Sequence, residues 1–228
     1  MASRDTREVG LASRLSVAVI ASYYEQHLPA HARGRLLDLG CGKVPLYATY
    51  RDLVSDCFCV DWANTAHKNE YLDRECDLTK SLPFADGEFD TIILSDVLEH
   101  IPTPDHLCAE MARSLSVGGK LIMNVPFYYW LHEEPHDYYR YTEFALRRFV
   151  ELAGLDLVVL EPTGGAPEVL ADILAKVVVG VPVIGRMLAV AVQSMTQWFV
   201  GTRVGGKVSI TTRQKFPFGY FLVAMKRR

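Results

Sequence analysis

The chain has no excess of basic residues: its formal net charge is -3 over 228 residues. Phosphate backbones are normally met by a basic patch or stripe, so nothing in the charge balance points to nucleic acid. Cysteine is sparse and badly spaced for a structural role. The five cysteines (41, 57, 59, 76 and 108) are odd in number and follow no zinc-finger spacing. They read as small buried thiols, with Cys57 and Cys59 on one face of a strand, and no metal set is expected. The start of the chain is charged from Arg4 to Glu8, without a compact apolar core and a small-residue cleavage site. A reducing cytoplasm is therefore the expected setting. No apolar run is long enough to span a bilayer; the stretch Val177–Val192 is interrupted by Pro182 and carries Arg186. Internal repeats and low-complexity stretches are also missing.

What is present is an alternation of short apolar runs with helical periods. Leu11, Leu15, Ala18, Val19 and Ser22 recur at helical spacing, which predicts an amphipathic helix over 6–28 closed by Pro29. Strands are expected at 35–39, 57–61, 71–76 (the weakest), 91–94, 120–125, 155–161 and 220–225. Helices are expected over 45–54, where Pro45 suits the first position, over 103–116, ended by Gly118-Gly119, and over 142–153, ended by Gly154. TIIL (91–94) is continuously apolar, as in a strand covered on both faces. The alternation predicts a doubly wound, mostly parallel α/β sheet. About 55 residues separate the sixth and seventh strands, far more than an ordinary connection.

Open α/β sheets bind ligands at the carboxyl ends of their strands. The first strand runs directly into Asp38-Leu39-Gly40-Cys41-Gly42, where two glycines allow a sharp turn and close backbone approach. A dinucleotide fingerprint would place a third glycine at 45, which is proline, so an NAD-dependent oxidoreductase is the weaker alternative. Asp61 ends the second strand about twenty residues on, where a carboxylate can take both hydroxyls of a ribose. Asp77-Leu78 ends the third strand, and Ser95-Asp96 ends the fourth.

The motifs LLDLGCG, VDW, CDLTKSLPFADGEFDTIILSDVLEHI and LSVGGKLIMNVP, in this order and spacing, resemble those of the class I S-adenosylmethionine-dependent methyltransferases. The resemblance covers residues 33–161 and the last strand. It implies a seven-stranded Rossmann-like sheet whose seventh strand runs antiparallel between the fifth and sixth. A single methyltransferase domain follows, with an N-terminal helix (1–32), a cofactor-binding core (33–161), an apolar helical insert between strands six and seven (162–217) and the last strand (218–228). The implied cofactor is S-adenosylmethionine. Asp38 would belong to its binding site, the turn of Gly40, Cys41 and Gly42 would line its methionine part, Asp61 its ribose, and Asp77 and Leu78 its adenine. Ser95 would sit on the methionine side and Trp62 would stack on the adenine.

After the fourth strand the chain reads SDVLEH, without the N/D-P-P-Y/F motif of many amino-methylating nucleic-acid enzymes. Glu99-His100 resembles a pair common in small-molecule members, where it orients the cofactor loop; capping of the next helix is the open alternative. After the fifth strand comes HEEPHDYYRYT (132–142), unusually dense in charge and tyrosine. His136, Asp137 and His132 are candidate catalytic residues, since a histidine titrating near neutrality suits a hydroxyl acceptor and an adjacent Asp can set its tautomer. Tyr128, Tyr129, Trp130 and Tyr139 are candidate walls for an aromatic or sugar-like acceptor. Arg140 would hold an anionic group, or else pair with Glu133 or Glu134. The expected reaction is O-methylation of a small molecule, a sugar or a lipid-linked glycan.

In the insert, Glu168, Asp172 and Lys176 make a thin polar stripe on an apolar helix, and Arg186, Gln193 and Gln197 do so on a second. Residues 166–200 are expected to meet a membrane surface at the inner face or a second copy of the chain. A non-catalytic, membrane-associated cofactor-binding protein remains a third alternative.

Overall fold

The computed structural model describes residues 9–63 and 70–227. The start of the first expected helix, residues 6–8, lies outside the described residues. A 3-10 turn (Leu11–Ser13) leads into α1 (Arg14–His31). There follow β1 (Arg35–Leu39), α2 (Tyr47–Tyr50), β2 (Asp56–Asp61), β3 (Arg74–Glu75), β4 (Phe89–Ser95), a second 3-10 turn (Leu98–His100), α3 (Pro104–Ser114) and β5 (Leu115–Pro126). Then come α4 (Glu143–Leu152), β6 (Leu155–Thr163), α5 (Ala166–Val178), α6 (Gly185–Gly201), α7 (Arg203–Thr212) and β7 (Gly219–Lys226).

The seven strands lie in the order β3-β2-β1-β4-β5-β7-β6. Strands β1 to β5 pair in parallel, and β7 runs antiparallel between β5 and β6. Alternate residues feed opposite faces, as strand geometry demands. Leu37, Leu39, Ile92, Leu94 and Met123 pack with α3 and α4 through Leu107, Met111, Leu146 and Val150. Leu36, Ile93, Ile122, Phe221 and Val223 pack with Ala21, Tyr24 and Leu28 of α1 and with Tyr50 of α2. The central strands are therefore apolar on both sides, the reason TIIL reads as a continuous run.

Three boundaries differ from the sequence expectation. Pro29 does not close α1: it lies in the last turn, and the helix continues to His31. The expected helix over 45–54 shrinks to four residues, because Val44 takes a left-handed backbone (φ 48°) and leaves Pro45 in a turn. The helix expected over 103–116 ends at Ser114, and β5 starts at Leu115. Gly118-Gly119 lie inside that strand, where the pairing of β4 with β5 shifts between Phe89 and Thr91. The glycines thus form a bulge rather than a helix stop. Thr142 does cap α4, its side chain accepting from the N–H of Ala145.

The insert is inside out. Glu168, Asp172 and Lys176 of α5 are buried, while Leu170 and Val177 on the same helix are 67% and 70% exposed. Each buried polar group is used. Glu168 accepts from the N–H of Gly165 and from the hydroxyl of Ser209 on α7. Lys176 pairs with Asp172, and its ammonium sits 3.6 Å from the Tyr129 ring centroid. Gln193 of α6 accepts from the N–H of Leu15 and donates to Leu11, bonding backbone groups at the start of α1. The inward charges therefore fasten the insert to α1 and to the loop after β5. Lys176→Met should lower stability by about 3 kcal/mol in urea unfolding, since Asp172 is left as an uncompensated buried charge. Replacing both residues (Asp172→Leu with Lys176→Met) should recover most of the loss. A double variant as weak as the single would show that the pair is not coupled.

Candidate functional site

At the carboxyl ends of β1, β2, β4 and β5 opens a cleft of about 770 Å³, within the range of small-ligand sites. Gly40 (φ 69°) forms its floor, and a Cβ there would stand 2.6 Å from Val97 Cγ2. A Cβ on Gly42 (φ 51°) would meet nothing within 4 Å, so the backbone at this turn is bare for a ligand to approach. Cys41 lies between them, buried and without a disulfide. Asp61 is 8% exposed and accepts from the N–H of Trp62 at 2.8 Å. Asp77 accepts from the Thr79 hydroxyl (2.7 Å) and backbone N–H (3.0 Å), contacts that together with Lys80 hold its carboxyl down to about 2. Leu78 is buried beside it. Ser95 donates to Asn124 Oδ1 at 2.8 Å. All nine residues assigned from sequence to the cofactor, Asp38 and Trp62 included, line this one cleft.

Several residues that shape the cleft escaped the sequence reading. Behind its wall, buried Asn124 of β5 accepts from Tyr24 (2.8 Å) as well as Ser95 and donates to Asp96 (2.7 Å), tying α1 to the ends of β4 and β5. Gly10, Ser13, Val17 and Ile20 supply the cleft wall contributed by the chain's start. The only sequence signal for them is small residues on one flank of an otherwise apolar helix, which is too weak to read alone.

The loop after β5 forms the opposite wall, and here expectation and structure part in detail. His132, His136 and Tyr129 line the cleft; Tyr128, Trp130, Tyr139 and Arg140 do not. The Tyr139 hydroxyl is spent on the carbonyl of Pro102 (3.1 Å), and Tyr128 leans on Phe127 and Phe216. Arg140 is not available for an anionic ligand, nor does it pair with Glu133 or Glu134. It grips Asp137 with both terminal nitrogens and bonds the carbonyls of Tyr129, Trp130 and Tyr139. The expected pairing of His136 with Asp137 is not formed either. Asp137 instead faces His132, 3.2 Å from its Nδ1, and accepts its backbone N–H at 3.0 Å. The loop bends back so that a partner five residues away replaces the adjacent one. Arg140 holds the Asp137 carboxyl far below its ordinary range. His136 stands edge-on to Trp62, with ring centroids 5.3 Å apart, so Trp62 links the residues assigned from sequence to the cofactor with the loop after β5.

Glu99 is the residue whose weight was least visible. It is fully buried, and neither carboxylate oxygen has a hydrogen-bond partner among the described residues. Burial pushes its carboxyl well above the usual range, and nearby Asp96 adds to the shift. Nε2 of His100 lies 3.7 Å and Nε2 of His132 3.9 Å from Glu99 Oε1. Burial, followed by the neighbouring His100, lowers His132 from its ordinary value. Of the two roles left open for Glu99-His100, helix capping does not hold, since no side chain caps α3.

Residues 37–123 match the family model described as a methyltransferase domain. Over 108 residues the chain is 33% identical to 27-O-demethylrifamycin SV methyltransferase of Amycolatopsis mediterranei, covering 42% of this chain and 40% of that protein. It thus spans less than half the length of this curated relative. Among solved structures, a chain of the Haloferax volcanii complex between the Trm112 methyltransferase activator and a methyltransferase shares the fold. That match has a TM-score of 0.62, 18% identity and coverage of 98% of this chain and 95% of that one. Haemonchus contortus phosphoethanolamine N-methyltransferase 2, solved with S-adenosyl-L-methionine, matches at TM-score 0.58 and 16% identity, covering 93% of this chain and 53% of its own.

Asp38 carries a pH signature of this architecture. Burial pushes its carboxyl up to about 7, with Asp61 adding to the rise and the hydroxyl of Tyr50, donated at 2.9 Å, opposing it. Between about pH 4 and pH 7 the folded chain keeps a proton that the unfolded chain has released, so stability from this group falls as pH rises through that window. In Asp38→Asn that slope should vanish, and the variant should gain on the parent in melting temperature from about pH 5 to pH 8. Parallel melting curves across the range would place the Asp38 titration elsewhere.

Proposed function

We propose that this chain, which carries a class I S-adenosylmethionine-dependent methyltransferase domain, methylates a hydroxyl group on an acceptor presented at a membrane surface. The observation that carries the reading is the single cleft, which joins the glycine turn and successive acids on one side to the Glu99, His100 and His132 cluster on the other. Bound there, S-adenosylmethionine supplies an electrophilic methyl group on a sulfonium. The bare backbone at Gly42 and the charge of Asp61 suit the amino acid and ribose ends of such a molecule. Asp137, fixed by Arg140, holds Nδ1 of His132 and leaves Nε2 turned towards Glu99 in the cleft. The cluster can thus draw off a hydroxyl proton while the loop positions the oxygen. O-methylation also agrees with the activity for which the rifamycin relative is named.

The membrane setting is supported by the insert. Val183, Met187, Met195 and Trp198 are 96%, 74%, 70% and 74% exposed. A soluble monomer seldom leaves so much apolar surface in water. No acidic residue occurs from 173 to the end of the chain, whereas Arg186, Arg203, Lys207 and Lys215 are exposed among the apolar groups. Apolar surface edged only with positive charge complements an anionic bilayer. None of the described helices is long and apolar enough to cross one. The ring contacts of Lys176 with Tyr129 and Trp130 bind this face to the acceptor wall, so lipid contact and acceptor delivery occur on connected elements.

S-adenosylmethionine and its demethylated product should raise the melting temperature and NAD should not, by mass action on the folded state. Asp61→Ala should weaken that binding by about 1–3 kcal/mol; unchanged affinity would take Asp61 out of the site. Vesicles containing phosphatidylglycerol should co-sediment the protein, less so in high salt. Met195→Glu with Trp198→Glu should abolish sedimentation while cofactor binding stays. If the parent ignores vesicles and is instead a dimer that these changes split, the face is a subunit interface. With labelled cofactor and a membrane lipid extract, the methyl label should enter the organic phase, and His132→Ala should slow this about 10²–10⁴-fold.

A further inference from the structure

Glu99, His100 and His132 face one another without a hydrogen bond between them. Nδ1 of His100 is 2.9 Å from the carbonyl oxygen of His136, so this nitrogen must carry the proton. Nδ1 of His132 faces the Asp137 carboxylate at 3.2 Å and the Trp130 carbonyl at 3.3 Å, which fixes its proton in the same way. Both Nε2 atoms are therefore bare lone pairs, and both stand beside a carboxylate whose two oxygens have no hydrogen-bond partner among the described residues. Three acceptors converge, with one ligand atom from each residue within 4.8 Å of the others. A proton on a histidine or on the Glu99 carboxyl does not resolve this, because the 3.7 and 3.9 Å separations are too long for an N–H···O or O–H···N bond.

A cation between the three does resolve it. Donors bound to one ion at about 2.0–2.2 Å stand roughly 3–4 Å apart, so a small closing of the two imidazoles suffices. The histidine tautomers are those that metal-binding imidazoles adopt, with the second nitrogen donating to a carboxylate or a backbone carbonyl. Two neutral imidazoles and one carboxylate suit a divalent transition ion such as Zn²⁺ or Mn²⁺ better than Mg²⁺. All three residues line the cleft, so the remaining coordination positions face the acceptor space.

We propose that Glu99, His100 and His132 bind one divalent transition-metal ion, which takes the acceptor's hydroxyl oxygen as a further ligand. This rests on the methyl-transfer reading above and deepens it. A bound cation lowers the pKa of the hydroxyl, so the O–H bond breaks heterolytically with the electron pair left on the oxygen. The proton passes to water in the cleft. No electron is gained or lost. Asp137 is a positioning residue, acting on the ion through His132.

Chelator-stripped protein titrated with Zn²⁺ and Mn²⁺ in a calorimeter should take up one ion per chain, with Mg²⁺ bound far more weakly. Glu99→Gln and His132→Ala should each weaken uptake about 100-fold or more, and Asp137→Asn about 10–100-fold. The thermal shift given by S-adenosylmethionine should persist in each variant, reporting an intact fold and cofactor site. Should Glu99→Gln fail to fold, His132→Ala, whose side chain is 22% exposed, decides the matter. Absence of saturable uptake, or uptake unchanged in His132→Ala, overturns the metal site. If stripped protein still responds to S-adenosylmethionine in that case, the methyltransferase reading stands without the metal; loss of that response as well removes both.

Discussion

The cleft depends on the seating of the loop after β5 on the short turn after β4. The backbone N–H of Tyr138 donates to the carbonyl of Glu99 at 2.9 Å, His100 bonds the carbonyl of His136, and the Tyr141 hydroxyl donates to Leu98. These contacts make one strand's exit the base for another's, and Arg140 clamps the loop closed from behind through Asp137. Without them the histidines would sit on a free loop, where no single tautomer or direction is held. With them, groups from separate segments face one another across a site small enough for direct transfer.

Such seating carries a cost that the structure leaves visible. Glu99 is fully buried, and its carboxylate has no hydrogen-bond donor among the described residues, which a fold selected only for stability would not retain. Asp96 and Glu133 take left-handed backbone (φ 51° at each) on either side of the same cluster, a conformation non-glycine residues seldom adopt. Unsatisfied polarity and backbone strain collected at one place are what a working site leaves on a scaffold.

The insert solves a different problem with the opposite arrangement. The charges of α5 turn inward, Glu168 to α7 and Lys176 to the loop after β5, Gln193 ties α6 to α1, and large apolar residues such as Leu170 and Val177 turn outward. The buried Asp172–Lys176 pair is weak evidence for stability, since desolvation offsets much of the attraction. What it secures is orientation: with the polar stripe of α5 facing in, Leu170, Ile173, Leu174 and Val177 are left to meet the surroundings.

How much of this was legible follows from the range of the physics involved. Strand positions, the glycine turn and the acids at successive strand ends are local properties, set by side-chain period and by conformations that a few residues impose on themselves. Those were readable, and all nine predicted cofactor residues line one cleft. The position of β7 came from resemblance, since an antiparallel strand returning from the end of the chain leaves no local mark. Partner choice in the acceptor loop was not readable, because a five-residue bend decides whether Asp137 meets His136 or His132. Composition showed that the insert carries thin polar stripes; which way they face depends on α1 and Tyr129, more than 30 residues away in sequence. The sequence by itself determined the sheet and the cofactor cradle, because both rest on local backbone preference and periodic burial. Only the tertiary structure decided the opposite wall, where Glu99, His100 and His132 converge through hydrogen bonds between distant segments.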